Sequence, residues 1–199
     1  MEQAVPATAR GHHPIRLVVN DDLQRNRLTV FFRIILAIPH FVWLVLWGVV
    51  AVLAVIANWF ATIVKGESPD GLHNFLATYL RYQTHVWAYT LILADPYPGF
   101  GGKPGYPIDI EVDPPTQQNR WTVGFRIILA IPALLIARIM TNLSQILALF
   151  NWVVSLVLGR LPEGMRNFGA FALRYEQQTT AYIYLLTDRY PSFNVSVSE

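Results

Sequence analysis

The sequence predicts a mainly α-helical integral membrane protein made of two tandem repeats, each a β-strand, an interfacial helix and a transmembrane helical hairpin. Residues 14–100 and 107–193 align without a gap at a constant offset of 93, and 35 of the 87 aligned pairs are identical. Hydrophobic residues make up 53% of the chain and charged residues 14%, whereas soluble domains carry about 25% charged residues. The repeat and the composition together predict four membrane spans, two in each unit, and a small cytoplasmic β ribbon.

Each unit opens with a predicted β-strand, at residues 14–19 in the first copy and at residues 107–112 in the second. In the second copy, three apolar side chains alternate with two acidic ones, which is the period of a half-buried strand. The two strands occupy equivalent positions, so we expect them to pair with each other about a pseudo-twofold axis. This pairing would form the β ribbon.

A long apolar segment follows each strand. Residues 34–64 carry no formal charge over 31 positions, and a continuous helix of that length would run about 46 Å, against a hydrocarbon core of roughly 30 Å. Pro39 lacks a backbone donor and crowds the preceding turn, so it predicts a bend. We expect an interfacial helix at residues 26–38, with Arg27 and Arg33 at headgroup level, and a span at residues 40–64. The second copy predicts the same pair of helices, at residues 119–131 and 133–158, with Arg120 and Arg126 in the equivalent positions.

A second helix completes each unit, at residues 72–94 and 165–187. Each follows a short turn that contains Gly and Pro, which favours a spanning hairpin. Two spans per unit give both copies the same orientation, so we expect the symmetry axis along the membrane normal, with both strands and both termini on one face and both turns on the other. Residues 101–106 form the linker, and residues 1–13 and 194–199 form the tails.

The distribution of basic residues predicts the orientation of the chain. Nine arginines and lysines fall on the strand-bearing face and three on the turn-bearing face. Cytoplasmic segments of membrane proteins carry the excess of basic residues. We therefore expect a multi-pass protein with its N and C termini in the cytoplasm.

A series of short motifs recurs in both repeats. In order they read Arg followed by Ile-Pro, Asn-Trp-Phe, Gly-x-x-Pro-x-Gly, Arg-Tyr, Ala-Tyr and Asp-x-Tyr-Pro-x-Phe, with Val in place of Phe after Asn-Trp in the second copy. This pattern resembles the DUF4389 family of bacterial membrane proteins over most of the chain. The resemblance implies a location in the bacterial cytoplasmic membrane. Because the function of that family is undefined, it implies no catalytic residues.

Polar residues inside the second helices are the first candidate site. Arg81 and Arg174 lie nine or ten residues inside their predicted spans, where a charge costs a few kcal/mol and requires a partner. Glu176 lies at comparable depth, so we expect the two helices to meet at the axis with both arginines sharing its carboxylate. The expected cluster comprises Arg81, Arg174, Glu176, Gln83, His85, Gln177 and Gln178. A structural role in helix pairing and a site for an anionic lipid or another anion are the two main interpretations, beside a weakly polar conduction path or a contact with another subunit.

A polar stripe on the third span is the second candidate site. Arg138, Asn142, Gln145 and Asn151 fall within roughly one helical face, where the first copy has three valines and the matching Asn58. Lipid would not accept such a face, so we expect it to contact protein or water. Packing against the fourth span or a second copy of the chain is one interpretation, and a hydrated groove is the other.

The sequence has no pattern typical of catalysis. The absence of cysteine excludes thiolate metal sites and thiol catalysis, and a net charge of +2 without a basic run argues against nucleic acid as a partner. We expect no cofactor and no metal. The first functional hypothesis is an accessory or scaffold protein that packs, within the lipid bilayer, against a protein partner or another copy of itself. The alternative is a small channel, transporter or anionic-lipid-binding protein that uses the intramembrane polar residues, and a membrane enzyme ranks third.

Overall fold

The computed structural model describes residues 13–193, and residues 1–12 and 194–199, which hold the predicted tails, lie outside the described range. Within that range the chain is mainly helical with a small sheet, as the sequence predicts. The elements in order are β1 Ile15–Val19, α1 Arg27–Lys65, α2 Asp70–Thr90, β2 Ile108–Val112, α3 Arg120–Gly124, α4 Arg126–Leu158 and α5 Glu163–Ile183.

The predicted pairing of the two strands is confirmed. β1 and β2 run antiparallel, with Ile15 opposite Val112 and Leu17 opposite Ile110. Leu17 and Ile110 are equivalent positions of the two repeats, so the pseudo-twofold axis passes between them. The sheet packs on α2 and α5, where Ile15 and Ile110 are buried in a common apolar core.

The helices form two layers beneath the sheet. α2 and α5 contact each other and the two strands, whereas α1 and α4 contact each other and cover α2 and α5 respectively. The inner helices, predicted as the second span of each unit, are largely buried. The outer helices expose most of their apolar side chains.

The structure does not divide the first long helix at Pro39 into an interfacial helix and a separate span. α1 continues through Pro39 as a single helix of 39 residues, so the predicted interfacial helix and first span form one element. In the second repeat the helix is interrupted earlier, at Phe125 between α3 and α4, and Pro132 lies inside α4. A proline removes one backbone hydrogen bond, and buried side chains on both sides of Pro39, Arg33 and His40 among them, hold α1 against the inner layer.

The two units pack with their long helices antiparallel instead of sharing one orientation. The backbone N–H of Gln118, just before α3, donates to the carbonyl of Gly66 at the end of α1. In the symmetric contact, the N–H of Arg25, just before α1, donates to the carbonyl of Gly159 at the end of α4. Each turn therefore lies beside the start of the other unit's long helix, and the predicted arrangement with both turns on one face and both strands on the other is wrong.

Two tryptophans repeat this contact further along the helices. The indole N–H of Trp59 donates to the carbonyl of Val123 at 2.9 Å, and that of Trp152 donates to Val30 at 3.0 Å. α1 and α4 are thus antiparallel neighbours, and the pseudo-twofold axis is perpendicular to both. The physical reason is that the polar groups at each helix end find their partners in the other unit.

Candidate functional site

Arg33 is buried and does not lie at a surface, contrary to the expectation that it reaches headgroup level. Only 2% of the residue is exposed. Its Nη1 donates to the carbonyls of Tyr89 and Ala94, both at 2.9 Å, and its Nη2 lies 2.6 Å from Asp95 Oδ1. The guanidinium also lies 4.2 Å from the centre of the Tyr89 ring. α2 ends at Thr90, so Arg33 supplies donors and positive charge to the carbonyl of Tyr89 in its last turn and to that of Ala94 just beyond it.

Arg126 repeats this arrangement in the second unit, with 1% of the residue exposed. It donates to the carbonyl of Thr187 and to the side-chain oxygen of Gln118, and it lies 4.1 Å from the centre of the Tyr182 ring. The sequence expectation for Arg126 is therefore wrong for the same reason. Both arginines close the C-terminal end of an inner helix.

The chain leaves each inner helix through a residue with unfavourable backbone geometry. Ile92 and Leu185, at equivalent positions, have φ angles of 63° and 61°, in the left-handed region that β-branched and bulky side chains rarely adopt. The carbonyl of Ile92 accepts from Arg25 Nε at 3.0 Å, and that of Leu185 accepts from Gln118 Nε2 at 2.7 Å. Polar side chains before each long helix hold these exits in place.

The predicted cluster around Glu176 is divided among separate places. Arg81 bonds the second strand: its Nε lies 3.2 Å from Asp109 Oδ1 and donates to the carbonyl of Ile110 at 3.1 Å. His85 Nε2 lies 2.8 Å from the same carboxylate oxygen. α2 runs along the free edge of β2, so Arg81 and His85 reach Asp109 before they can reach α5.

The environment of Asp109 stabilises its ionised form. Burial alone would raise the pKa of this carboxyl group. The hydrogen bonds from His85 and from the backbone N–H groups of Gly105 and Ile110 outweigh burial, and the pKa lies below its ordinary value. The Asp109 carboxylate and Arg81 together cover the free edge of β2.

The remaining members of the predicted cluster have other partners. Arg174 Nη2 donates to the carbonyl of Phe193, and Glu176 accepts from Thr141 Oγ1 of α4 at 3.0 Å. Gln178 Nε2 donates to the carbonyl of Ile15, which closes the free edge of β1 as Arg81 closes that of β2. Gln83 is half-buried, and Gln177 is fully buried with neither amide atom bonded among residues 13–193.

Three of the four residues of the predicted stripe on α4 are exposed. Arg138, Asn142 and Gln145 are exposed, whereas Asn151 is buried and donates to the carbonyl of Leu91 at 2.9 Å. We use the name polar stripe for Arg138, Asn142 and Gln145. The equivalent residues of the first unit, Val45, Val49 and Val52, are also exposed. The stripe is therefore a feature of the second unit alone, on a surface that both units expose.

The surface around the stripe is apolar. Two of the described helices, α1 and α4, are long and apolar enough to cross a membrane, and only 11% and 22% of their most apolar stretches are buried. A core helix of a soluble protein would be buried instead. We use the name apolar surface for the exposed hydrophobic side chains of α1 and α4, which include Ile35, Val42, Val49, Ile56, Phe60, Ile128, Leu135, Ile139, Ile146 and Val153.

A cleft near the start of α1 offers no further candidate. It has a volume of about 570 Å³ and is lined in part by Asp21, Arg25 and Asp95. Two of its acidic groups form ion pairs, Asp21 with Arg25 at 2.7 Å and Asp95 with Arg33, and the third, Asp22, accepts a hydrogen bond from the backbone N–H of Gln24. Across residues 13–193, no group of three or more His, Asp or Glu side chains is placed to hold a metal ion.

Sequence reasoning missed the roles of the two buried arginines. The signal was the repetition of a three-residue set: Arg33, Tyr89 and Asp95 recur as Arg126, Tyr182 and Asp188 at the same spacing. An arginine, an aromatic ring and an acid that recur together indicate one contact, which hydropathy alone does not reveal.

One protein-family model matches both repeats of the chain. The model of the family described as domain of unknown function DUF4389 matches residues 27–101 and 120–194, which hold the helical part of each repeat. No curated protein and no solved structure matches the chain significantly. Two matches that together span most of the sequence leave no doubt about its relationship: the chain belongs to the DUF4389 family and contains two tandem copies of its domain.

Proposed function

We propose that the chain is an integral membrane protein of the bacterial cytoplasmic membrane that acts as an accessory or scaffold protein. The observation that carries this proposal is the apolar surface of α1 and α4. Monomeric soluble proteins rarely expose contiguous apolar patches of more than a few hundred Å². Lipid is the solvent that suits such a surface along two neighbouring long helices.

The use of the internal polar groups supports a scaffold role. Arg33, Arg126, Asn58, Asn151 and Arg81 all bond to backbone carbonyls of the chain itself. These bonds stabilise the fold. The polar stripe is exposed in the middle of the apolar surface, and a helix of a protein partner or of a second copy would satisfy its groups.

Replacement of the stripe by the residues of the other unit tests this proposal. The variant R138V/N142V/Q145V copies Val45, Val49 and Val52, so it keeps the helix and makes its exposed face uniform. The wild-type protein should remain in the membrane pellet after carbonate extraction and should retain a partner or a second copy in mild detergent. The variant should remain in the membrane and lose that association.

The matched control is V45A/V49A/V52A, which changes the equivalent face of α1 and should keep the association. An unchanged association in the stripe variant would contradict the scaffold role of α4. Extraction of the wild-type protein by carbonate would contradict membrane integration itself.

The alternative function is binding or passage of an anion, with an anionic lipid as the simplest ligand. The observation that favours it is the exposed guanidinium of Arg138 within a lipid-compatible surface. Arg138 interacts electrostatically with Glu176, whose carboxylate also accepts a hydrogen bond from Thr141. Binding of the purified protein to vesicles with and without phosphatidylglycerol distinguishes the two: loss of a lipid preference in the stripe variant, with oligomeric state and partners unchanged, would favour the alternative.

A further inference from the structure

We propose that the protein lies within one leaflet of the bilayer, with α1 and α4 parallel to the membrane plane and the sheet directed towards the cytoplasm. This inference rests on the membrane location proposed above and adds its orientation. The partner of the apolar surface is then a single lipid leaflet, in place of the lipid that would surround a bundle of spans.

The symmetry of the molecule argues for this orientation. The pseudo-twofold axis passes through the sheet between Leu17 and Ile110, and it exchanges the two ends of the molecule because α1 and α4 are antiparallel. If these helices crossed the bilayer, the ends would lie at opposite surfaces and the sheet would lie midway between them. In the plane of the membrane, by contrast, the sheet is the part furthest from the lipid.

The outer face of the sheet is charged. Arg16 forms ion pairs with Glu111 at 3.2 Å and with Asp113 at 3.1 Å, and all three side chains are partly exposed. A crossing orientation would place this group at the centre of the hydrocarbon, where charged side chains are costly. The in-plane orientation places it in water.

The polar stripe gives the same result from another part of the chain. Arg138 is exposed near the middle of the helical segment that runs from Arg120 to Leu158. In a crossing helix this guanidinium would lie near the bilayer centre. In a helix that lies in the plane, every residue is within one helix diameter of the headgroups, and a long arginine side chain reaches them.

The dimensions of the helices agree with the in-plane orientation. The uncharged stretch of residues 34–64 is about 46 Å long, about half as long again as the hydrocarbon core. A helix about 10 Å wide fits within one leaflet, whose hydrocarbon is roughly 15 Å deep. Exposed basic residues at both ends of the two helices, Arg27, Lys65, Arg120 and Arg160, would then all contact headgroups of the same leaflet.

Single cysteines test the orientation directly, because the chain has no cysteine of its own. The exposed equivalents Asp70 and Glu163 mark the two turns, and exposed Glu111 marks the sheet. With a membrane-impermeant maleimide, D70C, E163C and E111C should all label in inverted vesicles and none in intact cells. Labelling of D70C and E163C from opposite sides would overturn the proposal in favour of crossing helices. Labelling of both turns from one side and of E111C from the other would overturn it as well.

A fourth cysteine separates failure of the orientation from failure of the membrane location. V49C lies on the apolar surface and should label only after detergent is added. If it labels freely in vesicles, the membrane location itself is contradicted. If it is protected while the turn cysteines label from opposite sides, only the orientation fails.

Depth along α1 gives a second readout. Ile35, Val42, Val49 and Ile56 are seven residues apart, share one exposed face and extend over about 32 Å of helix. Nitroxide labels at these positions should report similar immersion depths. Depths that are greatest at Val42 and Val49 and small at Ile35 and Ile56 would show a crossing helix and overturn the proposal.

Discussion

Arg33 and Arg126 are buried charged residues that stabilise the fold. Each guanidinium lies on a tyrosine ring and faces the carbonyls at the end of an inner helix, so backbone dipoles and the ring face replace its hydration. Arg33 has in addition the carboxylate of Asp95. The two residues are therefore part of the architecture of each repeat and are not available for a ligand.

Removal of Arg33 should destabilise the protein strongly. R33M would remove one donor from the carbonyls of Tyr89 and Ala94 and the cationic partner of the Asp95 carboxylate, at a cost of about 3 kcal/mol. We expect a large fall in melting temperature in detergent. R27M is the control, because Arg27 is exposed and makes one bond, to the carbonyl of Val157, worth about 1 kcal/mol. Equal melting temperatures for the two variants would contradict a structural role for Arg33.

The Asp109 carboxylate should make the thermal stability of the protein depend on pH in the acidic range. Its pKa lies below the ordinary value of 3.8, so the ionised carboxylate stabilises the fold above that value and its contribution is lost as the pH falls through the folded pKa. D109N lacks this contribution at every pH. The difference in melting temperature between wild type and D109N should be full at neutral pH and should shrink below about pH 3.8.

The control for this titration is E111Q, which removes the exposed partner of Arg16 on the same strand. Exposed ion pairs contribute about 0 to 1 kcal/mol, so this variant should differ little from wild type at neutral pH. A difference for D109N that stays constant down to pH 2 would contradict the role assigned to the Asp109 carboxylate.

The contact between α5 and the segment that follows α2 depends on a glycine. A Cβ atom at Gly169 of α5 would lie 2.4 Å from Cδ2 of Leu93, which is fully buried, so the residue after α2 has no room to move freely. G169A should destabilise the protein by about 1 to 3 kcal/mol through overpacking. Thermal unfolding in detergent measures it.

Gly164, in the first turn of the same helix, is the matched control. No heavy atom lies within 4 Å of a Cβ at this position. G164A should be neutral or slightly stabilising, because alanine favours helix over glycine by about 1 kcal/mol. A loss of stability in G164A equal to that in G169A would indicate a general effect of the alanines and not the contact with Leu93.

The elements themselves were largely predictable, because each follows from local pattern. Strands at residues 14–19 and 107–112 follow from alternation, and their pairing follows from equivalence under the repeat. The division of the long helix at Pro39 is not found, since a local rule for proline does not count the buried contacts that hold the helix on either side. Hydropathy found α1 and α4 but could not tell that α2 and α5 form an inner layer.

The candidate site was less predictable, because it depends on which elements are neighbours. Arg81 was expected to share Glu176 and bonds Asp109 instead, since the strand lies closer to α2 than the polar part of α5 does. Helical spacing groups Asn151 with the stripe, but its side chain faces the inner layer and donates to the carbonyl of Leu91. Spacing along one helix defines a face but not its partner.

At the scale of the whole molecule, the decisive feature is the antiparallel packing of the two units. Two predicted spans per unit suggest that both units have the same orientation in the membrane, and no sequence motif indicates the opposite. The contacts that reverse it are between units: Gln118 with Gly66, Arg25 with Gly159, and the two indole bonds. Each unit completes the helix ends of the other, and the sheet at the axis joins them.

One cross-linking measurement in native membranes tests this packing most directly. The side chains of Glu67 and Gln117 are in hydrogen-bond contact, at 3.3 Å, between the turn of the first unit and the start of the second. With a short thiol-reactive cross-linker, E67C/Q117C should react rapidly and E67C/R160C, which joins the two turns, should not. Cross-linking of the two turns with no reaction between positions 67 and 117 would show that the units share one orientation, and the antiparallel arrangement of the two units would then be wrong.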